Sequence, residues 1–343
     1  MNKQVSVLAA IAILASGWVV WLSQSPSKDK IEASLLFDDL QVFANQIDSV
    51  EITDAQGVLF SAQKLGNQWL ATFDPRQPTY PISQAKLANF VGTMMRAELV
   101  EAKTSKPQNY VRLGLQPIDI DDSMASLVIL KASENTWQVL VGNKVTTGEG
   151  HYILKPDDSR SWRTDKTINL PIDKFSWLKR PILPYQAMDI SSISRVDNIG
   201  WHIARAANGK FQLTNMPTGK KLEYDSILNS IVSSLTSLDF EQLLAIDENV
   251  VKFLEVKSRL EVITAEGTVF QVIVSEVDNK YFVNFISDGQ SEYWQKWLYQ
   301  VSFFSAQQLI KTLDDFLLEK STTPATSNIN IRPQAIEEGD SPN

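Results

Sequence analysis

The chain has 343 residues, 43% of them hydrophobic and 21% charged, which is enough for two domains of ordinary size, each with its own core. A net charge of −8 with no basic cluster argues against a nucleic-acid partner, because phosphate contacts require a basic face. The absence of cysteine excludes disulfides, thiolate metal sites, a cysteine nucleophile and a lipidated N-terminal cysteine, and leaves the redox compartment open.

The N-terminus opens with "VSVLAAIAILASGWVVWL", Val5 to Leu22, eighteen residues without a charge. At about 1.5 Å per residue this run reaches roughly 27 Å, close to the thickness of a hydrocarbon core. Trp18 and Trp21 stand at its far end, where amphipathic rings favour the headgroup layer. The expectation is a single transmembrane helix with a flank to residue 30. A signal peptide cut near "LASG" is the competing reading, disfavoured because the apolar run continues past that point. Lys3 favours an inside N-terminus while Lys28 and Lys30 pull the other way; the first would put the body in the periplasm of a bacterium, bound to the inner membrane by one span.

Leu36, Leu40, Phe43 and Ile47 recur at helical spacing and predict a juxtamembrane amphipathic helix over 31–45. "DSVEITDAQGVLFSAQKLGNQWLATF" then reads as strands separated by the turns "AQG" and "LGN". The loop "DPRQPTYP" carries Arg76 and Tyr80, candidates for a recognition edge toward a carboxylate or a partner chain. After it, Ser83 is placed to cap a helix whose apolar face is Leu87, Phe90, Val91 and Met94.

The second half repeats the first. Leu228, Ile231, Val232 and Leu235 follow that helix face at a constant offset of 141, and "NGKFQLT" echoes "GNQWLAT". "TWQVLVGN" returns as "VFQVIVSE", with Phe270 standing 133 positions after Trp137; "HYIL" returns as "KYFV" and Phe175-Ser176 as Phe304-Ser305. Ordered recurrence at this length marks a domain duplication rather than a short-period solenoid. The expected units are 46–184 and 185–320, divided near "KRPILPYQ", and the tail 321–343 reads as disordered, or as a short linear binding segment. The fold class expected is α+β: two tandem units of mostly antiparallel sheet plus helices, behind the anchor.

Candidate chemistry is sparse. His151 and His202, the only histidines, lack metal-ligand spacing and read as structural. No serine-hydrolase elbow occurs, and "PTGKK" lacks the spacing of a phosphate loop. "GNKVTTGEG" reads as a hairpin, and Asp119, Asp121 and Asp122 read as a solvated acidic loop without the glycine and distal glutamate of a calcium site. No catalytic residue, cofactor or metal is expected. Trp162, Trp294 and Trp297, near the ends of the units, are candidate stacking platforms for a glycan, peptide or lipid.

The segments "IDSVEITDAQG", "NQWLAT", "AKLANFVGTMM", "RLGLQP", "WQVLVGN", "HYIL" and "FSWL" resemble the domain-of-unknown-function 4340 family over roughly residues 31–320. The resemblance implies a bacterial inner-membrane protein that accompanies ABC-type transport systems, and carries no catalytic residue. The function expected is therefore a non-catalytic accessory or assembly protein with a protein partner in an inner-membrane complex. A periplasmic ligand-binding module is the alternative and an uncharacterised hydrolase the third reading.

Overall fold

The computed structural model describes residues 33–197, 200–288 and 292–318. In the first half, the strands are β1 (Ser34–Leu35), β2 (Ser49–Asp54), β3 (Gly57–Leu65), β4 (Gln68–Ala71), β5 (Tyr80–Pro81), β6 (Glu98–Ala102), β7 (Ser126–Ala132), β8 (Asn135–Lys144), β9 (His151–Leu154) and β10 (Trp162–Thr164), with helices α1 (Leu40–Phe43) and α2 (Gln84–Arg96). The second half holds β11 (Ile190–Arg195), β12 (His202–Arg205), β13 (Phe211–Leu213), β14 (Gln242–Ala245), β15 (Glu255–Thr264), β16 (Val269–Val277), β17 (Lys280–Ser287) and β18 (Trp297–Val301). Its helices are α3 (Ile227–Thr236), α4 (Glu248–Val251) and α5 (Phe303–Leu309).

Each half forms one antiparallel sheet. The first runs β1-β6-β10-β9-β8-β7-β2-β3-β4-β5 and the second β13-β12-β11-β15-β16-β17-β18-β14. Read from β14, the second sheet has the connectivity of the first from β6 to β4, strand for strand in chain order. The first sheet is longer by one strand at each edge, β1 beside β6 and β5 beside β4.

Alternation explains the recurring strands. In β8, Trp137, Val139 and Val141 are buried while Gln138 faces out, and in β16 Phe270, Val272 and Val274 are buried in turn. The turn from β16 to β17 places Asp278 and Asn279 at φ 48° and 59°, the left-handed pair that a two-residue hairpin needs. Ser83 caps α2 by accepting from the Lys86 amide, and Leu87, Phe90 and Met94 seal that helix against its sheet. Leu228, Ile231, Val232 and Leu235 of α3 do the same in the second half.

Three expectations are corrected. The described residues are not α+β: among them eighteen antiparallel strands dominate, and only α2 and α3, of 13 and 10 residues, exceed two turns. The anchor, Val5 to Leu22, lies outside the described residues, and among those described no helix is long and apolar enough to cross a membrane. Its place in the expected architecture is therefore unsupported. The helix expected over 31–45 is reduced to α1 and the 3-10 turn Ala44–Gln46 that continues it. Here β1 pairs with β6, Leu36 and Leu40 enter the core, and the Asp39 carboxylate accepts from Trp137 Nε1 at 2.7 Å instead of capping a helix. The segment is a strap across the first sheet, because pairing and burial outweigh helix propagation over so few residues.

Candidate functional site

The loop between β4 and β5 brings the two halves together. Asp74 folds it back by accepting from the Arg76 amide and guanidinium, so Arg76 is held against Asp74 while fully in solvent. The same hydrogen bonds hold the Asp74 carboxyl below its usual range. Beyond Arg76 the chain turns inward, and Tyr80 is completely buried. Its ring meets Phe240, Tyr293, Trp297 and Tyr299 of the second half edge-on, with centroids 5.2 to 6.4 Å apart. Phe73 adds a second edge-on contact to Trp297 at 5.3 Å. Such pairs contribute about 0.5–1.5 kcal/mol each beyond the area they bury.

The segment "KRPILPYQ" is part of this core. Lys179 donates its amide to Pro81, Ile182 donates to Leu238 at 3.0 Å, and Ile182 and Leu183 are buried. Arg180 lies over the Phe240 ring at 4.0 Å and binds the Asp239 carboxylate and the Phe240 carbonyl. Tyr293 donates its hydroxyl to the Ile182 carbonyl at 2.8 Å. The two sheets therefore share one continuous hydrophobic core.

The candidate residues divide accordingly. Arg76 alone is exposed; Tyr80, Trp294 and Trp297 are core residues and present no ring to a ligand. The reading of Trp294 and Trp297 as stacking platforms is corrected: η-turn and strand geometry over 293–301 points both indoles inward against Phe270, Phe285 and Tyr80. Trp162 is half-buried on β10, its indole donating to Asp158 at 3.0 Å. Burial pushes the Tyr80 and Tyr299 phenols far above the usual range, and pushes Tyr293 up to about 12 with a smaller contribution from the Glu292 charge. None of the three supplies a phenolate near neutral pH.

Two concavities flank the loop. One, of about 560 Å³, is lined by Glu51, Phe60, Thr72, Asp74, Gln77 and Lys174. The other, of about 760 Å³, lies between the halves and includes Trp69, Thr79, Lys179, Glu292, Tyr293 and Lys296. This second cleft carries both charge signs and two aromatic rings, contributed by β4, the junction and the turn before β18. It was not legible in the sequence, because its walls lie more than two hundred residues apart along the chain.

The histidines are accounted for locally. His151 Nδ1 accepts from the Ile168 amide at 3.0 Å, and burial, reinforced by the Lys144 charge, lowers its pKa. His202 Nδ1 and Ser194 Oγ share a hydrogen bond at 2.6 Å across β11 and β12. In the same row Glu261 of β15 stands on the far side of Ser194. A hydrolytic triad needs its acid on the imidazole, so this row does not assemble one. "GNKVTTGEG" closes as a hairpin through the Val145 amide on the Gly150 carbonyl, and the acidic loop at Asp119 to Asp122 sits among turns. Among the described residues no three His, Asp or Glu side chains converge as a metal site.

Neither a curated protein nor a solved structure matches the chain. A family model described as a domain of unknown function (DUF4340) matches residues 74–255, from the Asp74 turn through the junction to the start of β15. That span is more than half of the sequence, and the chain belongs to this family.

Proposed function

We propose that the protein is a non-catalytic accessory or assembly component of an envelope complex, associated with an ABC-type transport system and acting in the periplasm at the bacterial inner membrane. The observation that carries this reading is an apolar run left in solvent. Leu244 on the edge strand β14, Ile246 just after it, and Val250, Val251 and Phe253 on the crossover toward β15 are all exposed within ten residues. Soluble surfaces seldom leave so many apolar side chains together unless a partner covers them. The shared core supports the same reading, since a scaffold without a hinge presents such a surface in fixed geometry.

The test is purification of the full-length tagged chain from its native membrane in mild detergent. Transporter subunits are expected in near-stoichiometric amount, and repeated recovery of the chain alone would sink the proposal. A ligand-binding module is the second reading, favoured by the mixed-charge cleft between the halves. With Trp294 and Trp297 buried, a ligand there would meet Trp69 and Tyr293 instead.

A further inference from the structure

Among the described residues the second sheet lacks what covers the edge of the first. In the first sheet the outer edge of β6 is taken by β1, with Ser34 opposite Leu99 and Leu35 opposite Glu98, and the Leu36 amide donates to Ala97 at 2.8 Å. Leu36 and Leu40 then bury completely. The strand at the equivalent position of the second sheet is β14, paired to β18 on one side only; among the described residues no strand lies on the other. An edge of this kind presents a row of backbone donors and acceptors that readily accepts an added strand.

The residues at the two edges differ in a telling way. After β6 the chain continues as "KTSKPQN", polar and basic, whereas after β14 it continues as "IDENVVKF". Leu244 on β14 is 37% exposed and Ile246, two residues on, is 42% exposed. The second edge thus combines free backbone with apolar side chains, the pairing that natural edges are built to avoid. Glu241 precedes the strand and Asp247 follows it, so carboxylates bracket the edge. A second copy docked antiparallel on β14 would set these carboxylates against their own kind, which is destabilising.

We infer that β14 accepts, by antiparallel strand addition, an extended segment of a partner protein with apolar residues at alternate positions and Lys or Arg at its ends. The backbone ladder supplies affinity, Leu244 and Ile246 receive the alternate side chains, and Glu241 and Asp247 set orientation. The inference rests on the accessory reading and names the surface that reading would use.

The test places a photoreactive residue in the full-length chain in its host cells, as Leu244→p-benzoylphenylalanine, with Gln212→p-benzoylphenylalanine on the opposite edge as control. Crosslinked peptides are then sequenced. Position 244 is expected to capture one segment of alternating apolar character with basic ends, and position 212 not to capture it. Leu244→Lys should lower partner recovery by about tenfold or more, the effect of losing a central anchor, with Leu244→Thr intermediate and both variants folded. Capture of residues 319–343 of the same chain, capture of a second copy, or a partner that co-purifies undiminished with Leu244→Lys would overturn the inference and leave the accessory reading standing. Recovery of no partner by the native chain would remove both.

Discussion

Tyr80 of the first sheet stands edge-on to Tyr293 in the turn before β18, ring centroids 5.2 Å apart and planes at 85°, although their positions are 213 apart in the chain. Tyr293 in turn holds the junction through its hydrogen bond to Ile182. This contact makes the two repeats one folding unit rather than two beads on a linker.

Truncating that residue should therefore unfold the whole molecule. Tyr80→Ala is expected to cost about 3–5 kcal/mol, the range for removing a large buried aromatic. The Tyr80 hydroxyl is buried near that of Tyr299 without a hydrogen bond of normal geometry, so Tyr80→Phe should change stability by no more than about 1 kcal/mol. Urea unfolding followed by far-ultraviolet circular dichroism checks both. A two-step transition in the native chain would show that the halves are not coupled.

The indoles at 294 and 297 are predicted to act as core. Trp294→Ala or Trp297→Ala should each lower stability by about 3–5 kcal/mol and erase near-ultraviolet dichroism before any binding can be assayed. Retention of the native spectrum with either variant would return these residues to the surface.

Alkali should expose the buried phenols. A phenol whose folded pKa is raised keeps its proton in the native state while the unfolded chain loses it, so its stabilising contribution is whole below about pH 10. That contribution fades as pH rises toward about 12, the value for Tyr293, and further for Tyr80 and Tyr299, which lie higher. Titration of tyrosinate absorbance should show these three of the eight tyrosines ionising only with unfolding. Reversible ionisation of all eight near pH 10 would refute the burial.

Gly142 and Ser275 occupy the same place in the two β8-type strands, and only one tolerates a side chain. A Cβ at Gly142 would lie 2.4 Å from the Leu113 carbonyl oxygen and 2.8 Å from that of Gly114, because the 3-10 turn Pro107–Leu113 crosses β8 there. Gly142→Ala should cost about 1–3 kcal/mol, the usual penalty of overpacking. Ser275→Gly, in a strand with no such crossing, should cost about 1 kcal/mol or less, chiefly in backbone entropy. Thermal unfolding of the pair of variants decides it: equal losses would mean the crossing turn yields.

Local periodicity was readable. The buried alternation of Trp137, Val139 and Val141, its repetition at Phe270, Val272 and Val274, and the apolar faces of α2 and α3 all follow from which side chains share a face, a property of neighbours in the chain. Helical spacing from Leu36 misled at its start, since Leu36 follows the short strand β1 and helix begins only at Leu40. The sequence by itself thus determined that two related strand-rich halves exist and which residues of β8, β16, α2 and α3 share an apolar face. Only the tertiary structure decided that Tyr80, Trp294 and Trp297 are sealed inside a junction, and that among the described residues β14 has no strand on its outer side where β6 is covered. Exposure is a relation between surfaces brought together from distant parts of the chain, and no pattern along one segment records what will pack against it.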